Sequence, residues 1–224
     1  LLKHDKNTAT PLRGAGDFRS DECIELLKEA DIVCTNPPFS LFREYVDQLV
    51  KYNKNFLIIG NKNAISYKEI FRLIKENQLW LGYGSPSEFF TPNGTLTKQV
   101  QGLTRWFTNL DIAKRHEEFV MYKKYSPKEY PRYVNYDAIE VAKVSEIPMD
   151  YEDEMGVPIT FLDKYNPNQF EILGSSKTLG RPMSEIAQKD TFTQGGPRFY
   201  LPANNGKYLR LYDRLVIKNK KVKK

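Results

Sequence analysis

The segment DIVCTNPPFSLF, residues 31–42, restricts what this chain can fold into more than any other stretch. Ile32, Val33 and Cys34 form a short apolar run of the kind found in strands buried on both faces. Beyond it, Leu41, Phe42, Tyr45, Val46, Leu49 and Val50 recur at helical spacing. The intervening Asn36-Pro37-Pro38-Phe39 is therefore a strand-to-helix junction, with Ser40 the expected N-cap. Each proline pushes the residue before it, Asn36 and then Pro37, toward an extended backbone. Neither proline carries an N–H, so between Asn36 and Phe39 the backbone offers carbonyl acceptors and no donors. A single proline before a first helical turn is ordinary. The full tetrapeptide arises by chance in about one chain in a thousand of this length, from average residue frequencies. The junction reads as a stiff rack of acceptors with an aromatic ring beside it.

Strands and helices alternate around this rack. Residues 21–30 are helical in pattern, through Ile24, Leu26 and Leu27, with Ser20 as cap. FLIIG (56–60) is a second strand of buried type, 67–78 an amphipathic helix through Ile70, Phe71 and Ile74, and LWLGY (79–83) and RWFTNL (105–110) two more strands. Such alternation argues for a parallel α/β sheet, whose ligands bind beyond the carboxyl ends of the strands. Asn36 and Asp17 both fall there. The connection 84–104, which carries Phe89 and Phe90, is long enough to be functional or without fixed structure. After residue 110 the rhythm changes. YNPNQFEILG (165–174) has turn signals before an apolar segment, and 199–201 and 209–217 read as closing strands. The expected organisation is an α/β core over 1–110 and a less regular α+β region over 111–224.

Composition narrows the function classes. With 224 residues, 40% of them hydrophobic, the chain can bury a sizeable core. No apolar run reaches membrane-spanning length and no signal-peptide pattern opens the sequence. Cys23 and Cys34 are the only cysteines and His4 and His116 the only histidines, which argues against a structural zinc site, any other metal centre or a disulfide framework. A reducing, cytoplasmic setting fits. The formal net charge of +6 suits a polyanionic partner. Lys218, Lys220, Lys221, Lys223 and Lys224 crowd the end of the chain, either as phosphate contacts or as a solvated tail.

The rack suggests a reaction. An exocyclic amine on a nucleobase or amide is a poor nucleophile because its lone pair is delocalised. If the Asn36 side-chain oxygen and the Pro37 carbonyl each accept one of its N–H groups, the nitrogen is favoured in a pyramidal form with its lone pair aimed outward. Those bonds strengthen as positive charge builds on nitrogen in the transition state. Phe39 can stack on the planar group being modified.

The order Gly16-Asp17-Phe18, helix, then a strand ending Asn36-Pro37-Pro38-Phe39 resembles the class I S-adenosylmethionine-dependent amino-methyltransferases. More narrowly, GDFRSDECIELLKEADIVCTNPPFSLFREYV together with MGVPITFLDKYNPNQFEILG resembles the EcoRI-type adenine-specific DNA methyltransferase family. The resemblance implies a Rossmann-like sheet, S-adenosylmethionine as cofactor, and methylation of the N6 amine of an adenine flipped out of double-stranded DNA. It makes Asn36, Pro37, Pro38 and Phe39 the catalytic motif. It places Asp17, Phe18 and Asn36 against the cofactor, with Asp17 accepting from the cofactor's adenine amine and Phe18 flanking that ring. Phe39 and one of Phe89 and Phe90 are its candidates for stacking on the target base, and Lys218, Lys220 and Lys221 for holding the DNA backbone. A cognate restriction endonuclease is a candidate partner and a monomer is expected. The family's glycine-rich cofactor loop is absent from this sequence and is expected upstream of Leu1, so the chain reads as the C-terminal part of a longer protein. Asn-Pro-Pro-aromatic junctions also serve methyltransferases acting on RNA or on protein glutamine. A nucleic-acid-binding pseudoenzyme without the cofactor loop is a further alternative.

Overall fold

The structure, a computed structural model, describes residues 11–91, 93–98 and 102–222. Residues 1–10, among them His4, and Lys223 and Lys224 lie outside the described residues. In chain order the elements are α1 (Asp21–Glu29), β1 (Ile32–Thr35), α2 (Phe42–Lys51), β2 (Asn55–Asn61), α3 (Lys68–Lys75), β3 (Trp80–Leu81), β4 (Glu88–Phe90), β5 (Leu96–Lys98) and β6 (Thr104–Thr108). Short strands follow: β7 (Ile139–Glu140), β8 (Met155–Pro158), β9 (Phe170–Ser175), β10 (Tyr200–Pro202), β11 (Tyr208–Arg210) and β12 (Arg214–Asn219). Two compact units result. One runs to Phe71 and resumes over Gly84–Leu110; the other comprises Arg72–Tyr83 and everything from Asp111 onward.

In the first unit the helical periodicity of α2 puts Phe42, Val46 and Leu49 on one buried face. Phe42 meets Phe107 of β6 with ring centroids 5.0 Å apart. Gly60 of β2 makes room for both rings, since a Cβ there would sit 2.5 Å from Phe42. The mixed α/β character matches expectation; the strand directions match only in part. β1 and β2 pair in parallel, Ile32 opposite Asn55 through Thr35 opposite Ile58. β2 and β6 pair antiparallel, Ile58 opposite Phe107. An antiparallel neighbour needs no crossover back to the starting end, so β6 can follow a hairpin directly.

β1 also departs from the buried-strand expectation. Ile32 is 54% exposed and Cys34 is exposed, because among the described residues β1 pairs only with β2 and forms a sheet edge. The expected helix α1 is present, and Ser20 caps it by accepting the Cys23 N–H at 3.3 Å, yet α1 buries no residue. The long connection 84–104 is not structureless. It folds into the β4–β5 hairpin, closed by the Thr91 N–H donating to the Thr95 carbonyl at 2.9 Å.

The second unit is organised by a sheet in the order β7-β8-β12-β9, with β12 antiparallel to both neighbours. Met155, Val157, Phe170, Ile172, Leu215, Val216 and Ile217 fill its core. A buried ion pair crosses it, with Arg214 donating to the Glu140 carboxylate at 2.7–3.1 Å. The Tyr133 hydroxyl donates to the same carboxylate, and burial followed by that charge pushes its pKa upward. Loops are pinned by side-chain amides: Gln169 bonds both the N–H and the carbonyl of Phe119, and Asn166 donates to the Glu117 carbonyl. Through residue 222 the chain end is held in place, with Lys218, Lys220 and Lys221 exposed to solvent. Lys218 lies on β12, and Lys220 is fixed by its N–H to the Gln169 carbonyl and its ammonium to the Pro167 carbonyl.

Candidate active site

The rack forms as a break between β1 and α2, but not with the expected cap. Phe39–Leu41 make a 3-10 turn in which the Leu41 N–H donates to the Pro38 carbonyl at 3.0 Å. Ser40 lies inside that turn, and α2 starts without a side-chain cap. Pro38, extended at φ −57° and ψ 123°, supplies a carbonyl where a serine oxygen was expected. Pro37 is buried and Asn36 exposed. Among the described residues, neither the Asn36 side chain nor the Pro37 carbonyl takes part in a hydrogen bond. Two acceptors therefore stand uncommitted on a backbone that carries no competing donor. The Phe39 ring is half-buried, and no other described ring stacks on it.

The same helix carries the Asp17-Phe18-Arg19 segment. Glu44 pairs with Arg19 at 3.0 Å, Tyr45 meets the Phe18 ring edge-on at 5.0 Å, and Gln48 donates to the Phe18 carbonyl at 2.8 Å. Helical spacing puts Glu44 and Gln48 on one face, so α2 ties this loop to the rack at its own first turn. Asp17 is not idle. Arg19 donates to Oδ1 through its backbone N–H and Nε, at 2.9 and 3.0 Å, and to Oδ2 through Nη2 at 2.7 Å. Those bonds lower the Asp17 pKa to about 2. A carboxylate offers roughly four lone-pair directions, so Oδ2 retains one for a further donor. Phe18 and Gly16 line an open groove of about 340 Å³ with Leu26, Val33 and Tyr45. Asp17 itself does not line this groove. Neither do the rack residues.

Phe89 and Phe90 are adjacent on β4 and so face opposite sides of the hairpin. Phe89 is half-buried and Phe90 is 76% exposed. Lys218, Lys220 and Lys221 are exposed, with the Lys220 ammonium held internally.

The sequence profile of the adenine-specific methyltransferase EcoRI family matches residues 3–220. The chain belongs to this family. It is 45% identical over 241 residues to the Type II methyltransferase M.EcoRI of Escherichia coli, covering 100% of this chain and 68% of that protein. It is 41% identical to the Type II methyltransferase M.MgeORF184P of Mycoplasma genitalium, over 97% of this chain and 74% of that protein. With the Type II methyltransferase M.MpnI of Mycoplasma pneumoniae the identity is 38%, over 94% of this chain and 70% of that protein. No solved structure matches. Within this family member, the residues that reading the sequence missed are Arg19, Glu44, Tyr45 and Gln48. The polar pair Glu44 and Gln48, four apart on one face of α2, was the available signal.

Proposed function

We propose that this chain methylates the exocyclic N6 amine of adenine in double-stranded DNA. Membership of an adenine-specific methyltransferase family supports the reaction class. The observation that carries the mechanism is the pair of uncommitted acceptors, Asn36 Oδ1 and the Pro37 carbonyl, at the carboxyl end of β1. They accept the two N–H groups of the adenine amine and hold its lone pair outward. Pro37, buried, fixes the carbonyl's direction before the base arrives. Phe39 stacks on the ring. A base inside a duplex cannot reach this junction, so the adenine is turned out of the stack. Of Phe89 and Phe90, one at most faces it, since they point to opposite sides.

S-adenosylmethionine, when bound, supplies an electrophilic sulfonium methyl group, so no base need remove a proton before attack. Phe18 would flank the cofactor's adenine, the free direction on Asp17 Oδ2 would accept from its amine, and Asn36 would meet it from the rack. The parallel β1–β2 pair beside an antiparallel β6 suits a Rossmann-like class I sheet, since such sheets tolerate an antiparallel member. Residues 1–110 act as the catalytic core and 111–224 as the DNA-contacting region, with Lys218 and Lys221 free to meet phosphate. We place the protein in the cytoplasm, acting as a monomer. Single-turnover methyl transfer to a duplex, against RNA and glutamine-peptide substrates, tests the reading: duplex adenine should be the acceptor. Transfer to RNA or peptide alone would sink it.

A further inference from the structure

The second unit contains a preformed groove that the reaction does not use. It has a volume of about 240 Å³ and is lined by Arg181, Ser184, Phe192, Gln194, Gly196 and Arg198, among others. Asn135, buried, rivets its two walls. Its Nδ2 donates to the Arg181 carbonyl at 2.9 Å and the Arg198 carbonyl at 2.7 Å, and its Oδ1 accepts the Tyr200 N–H at 3.0 Å.

The loop TQGGPR over residues 193–198 has more of its carbonyls than of its N–H groups engaged. Four of its six carbonyls are tied up: Thr193 accepts from the Tyr200 hydroxyl at 2.9 Å, Gly196 from Arg210 at 2.9 Å, Pro197 from Arg198 at 2.7 Å and Arg198 from Asn135 at 2.7 Å. Its N–H groups are not. Among the described residues, the N–H groups of Gln194, Gly195 and Gly196 have no acceptor. The Arg210 Nε, buried beneath the loop, also lacks one. Arg198 is paired with Asp213 at 2.9 Å, whereas the Arg181 side chain, exposed on the opposite wall, has no carboxylate partner among the described residues. No acidic residue lines the groove. Three free amides and an unpaired cation lining one groove offer donors to an anionic oxygen cluster. Gly195, at φ +154°, and Gly196, with open space where a Cβ would stand, let such a group approach the backbone.

We propose that this groove seats a phosphate of the DNA backbone, with the amides of residues 194–196 and Arg181 as its donors. The proposal rests on the DNA-methylation reading and adds a contact outside the catalytic junction. It is tested by duplex binding at several salt concentrations with the whole chain. Arg181→Gln should reduce the salt slope by about one unit, uniformly across sequences, and Arg181→Lys should restore it. Gly196→Ala meets no atom within 4 Å, so the fold should melt unchanged. Its methyl group stands where the phosphate approaches, and binding should weaken about tenfold, the loss of one charge-assisted hydrogen bond. Amide resonances of Gln194, Gly195 and Gly196 should shift on adding duplex. Wild-type slope and affinity in both variants would overturn the seat while leaving methylation intact. Shifts with inorganic phosphate but not with duplex would overturn the DNA assignment. Absence of methyl transfer to duplex by the full-length protein would remove the reading beneath it.

Discussion

Two short stretches of backbone in this protein lean toward one polarity each, by opposite means. At the rack, Pro37 and Pro38 delete the donors, and what remains is acceptors. In the loop over 193–198, Tyr200, Arg198, Arg210 and Asn135 occupy four of six acceptors, which leaves the loop rich in free donors. The first device is written in the residues that use it. The second depends on side chains that come from elsewhere, including Arg210 on β11 and Asn135. A one-sided backbone made by proline is therefore local and stiff, while one made by side-chain capture is only as firm as the unit that holds it.

The largest effect expected from this contrast is on stability. Glu140→Ala leaves Arg214 buried and unpaired and removes the acceptor of Tyr133, whose ring stacks on Phe199 at 4.4 Å. Breaking a buried pair in this way costs about 3–5 kcal/mol, to be read by denaturant unfolding. Hydrogen exchange should rise over residues 192–200 and stay unchanged over 32–39. Equal loosening of both would erase the distinction.

Next comes Asn36→Ala. Single-turnover methyl transfer should fall about a hundred- to a thousand-fold, with duplex and cofactor binding little changed. Asn36→Asp keeps an acceptor and should retain more activity than alanine. A wild-type rate for Asn36→Ala would reduce the junction to a stiff helix start. Smaller again is Phe39→Ala, which should lose roughly 1–3 kcal/mol of base stacking as weaker retention of an extruded base, while Phe39→Tyr should be tolerated.

The smallest effect is on Asp17. Its pKa of about 2 is held below the ordinary carboxylate value mainly by its hydrogen bonds to Arg19. Stability from that contact is complete above the ordinary value near 3.8 and is lost as pH falls through about 2. In Arg19→Gln, the carboxyl resonance of Asp17 should titrate at higher pH, toward the ordinary value. A midpoint that does not move would show that Arg19 is not the cause.

What the sequence made legible follows the same division. The rack, α2, β2 and the Ser20 cap were readable because propensity, proline geometry and apolar spacing all act within a few residues. The exposure of β1 was not, because an apolar run of Ile32, Val33 and Cys34 looks the same at a sheet edge as at its centre. The β4–β5 hairpin was hidden by strands of three residues each among threonines and glycines. Beyond residue 110, the order comes from Asn135, Asn166 and Gln169 bonding to distant backbone, which leaves no local periodicity to read. Arg19 escaped notice because its partners are Asp17, two residues away, and Glu44, twenty-five away.

The amide of Asn135 also sets a clock. Its partners lie 46, 63 and 65 residues further along the chain. During synthesis, residues 131–139 can leave the ribosome and fold against nothing that needs Asn135, because its acceptors and donor do not yet exist. Only when residue 200 has emerged can one side chain draw three distant backbone groups together, and closing loops of that length is slow relative to forming a helix. The groove therefore takes shape late in its unit, and a nascent chain stays blind to phosphate there until residue 200 has emerged.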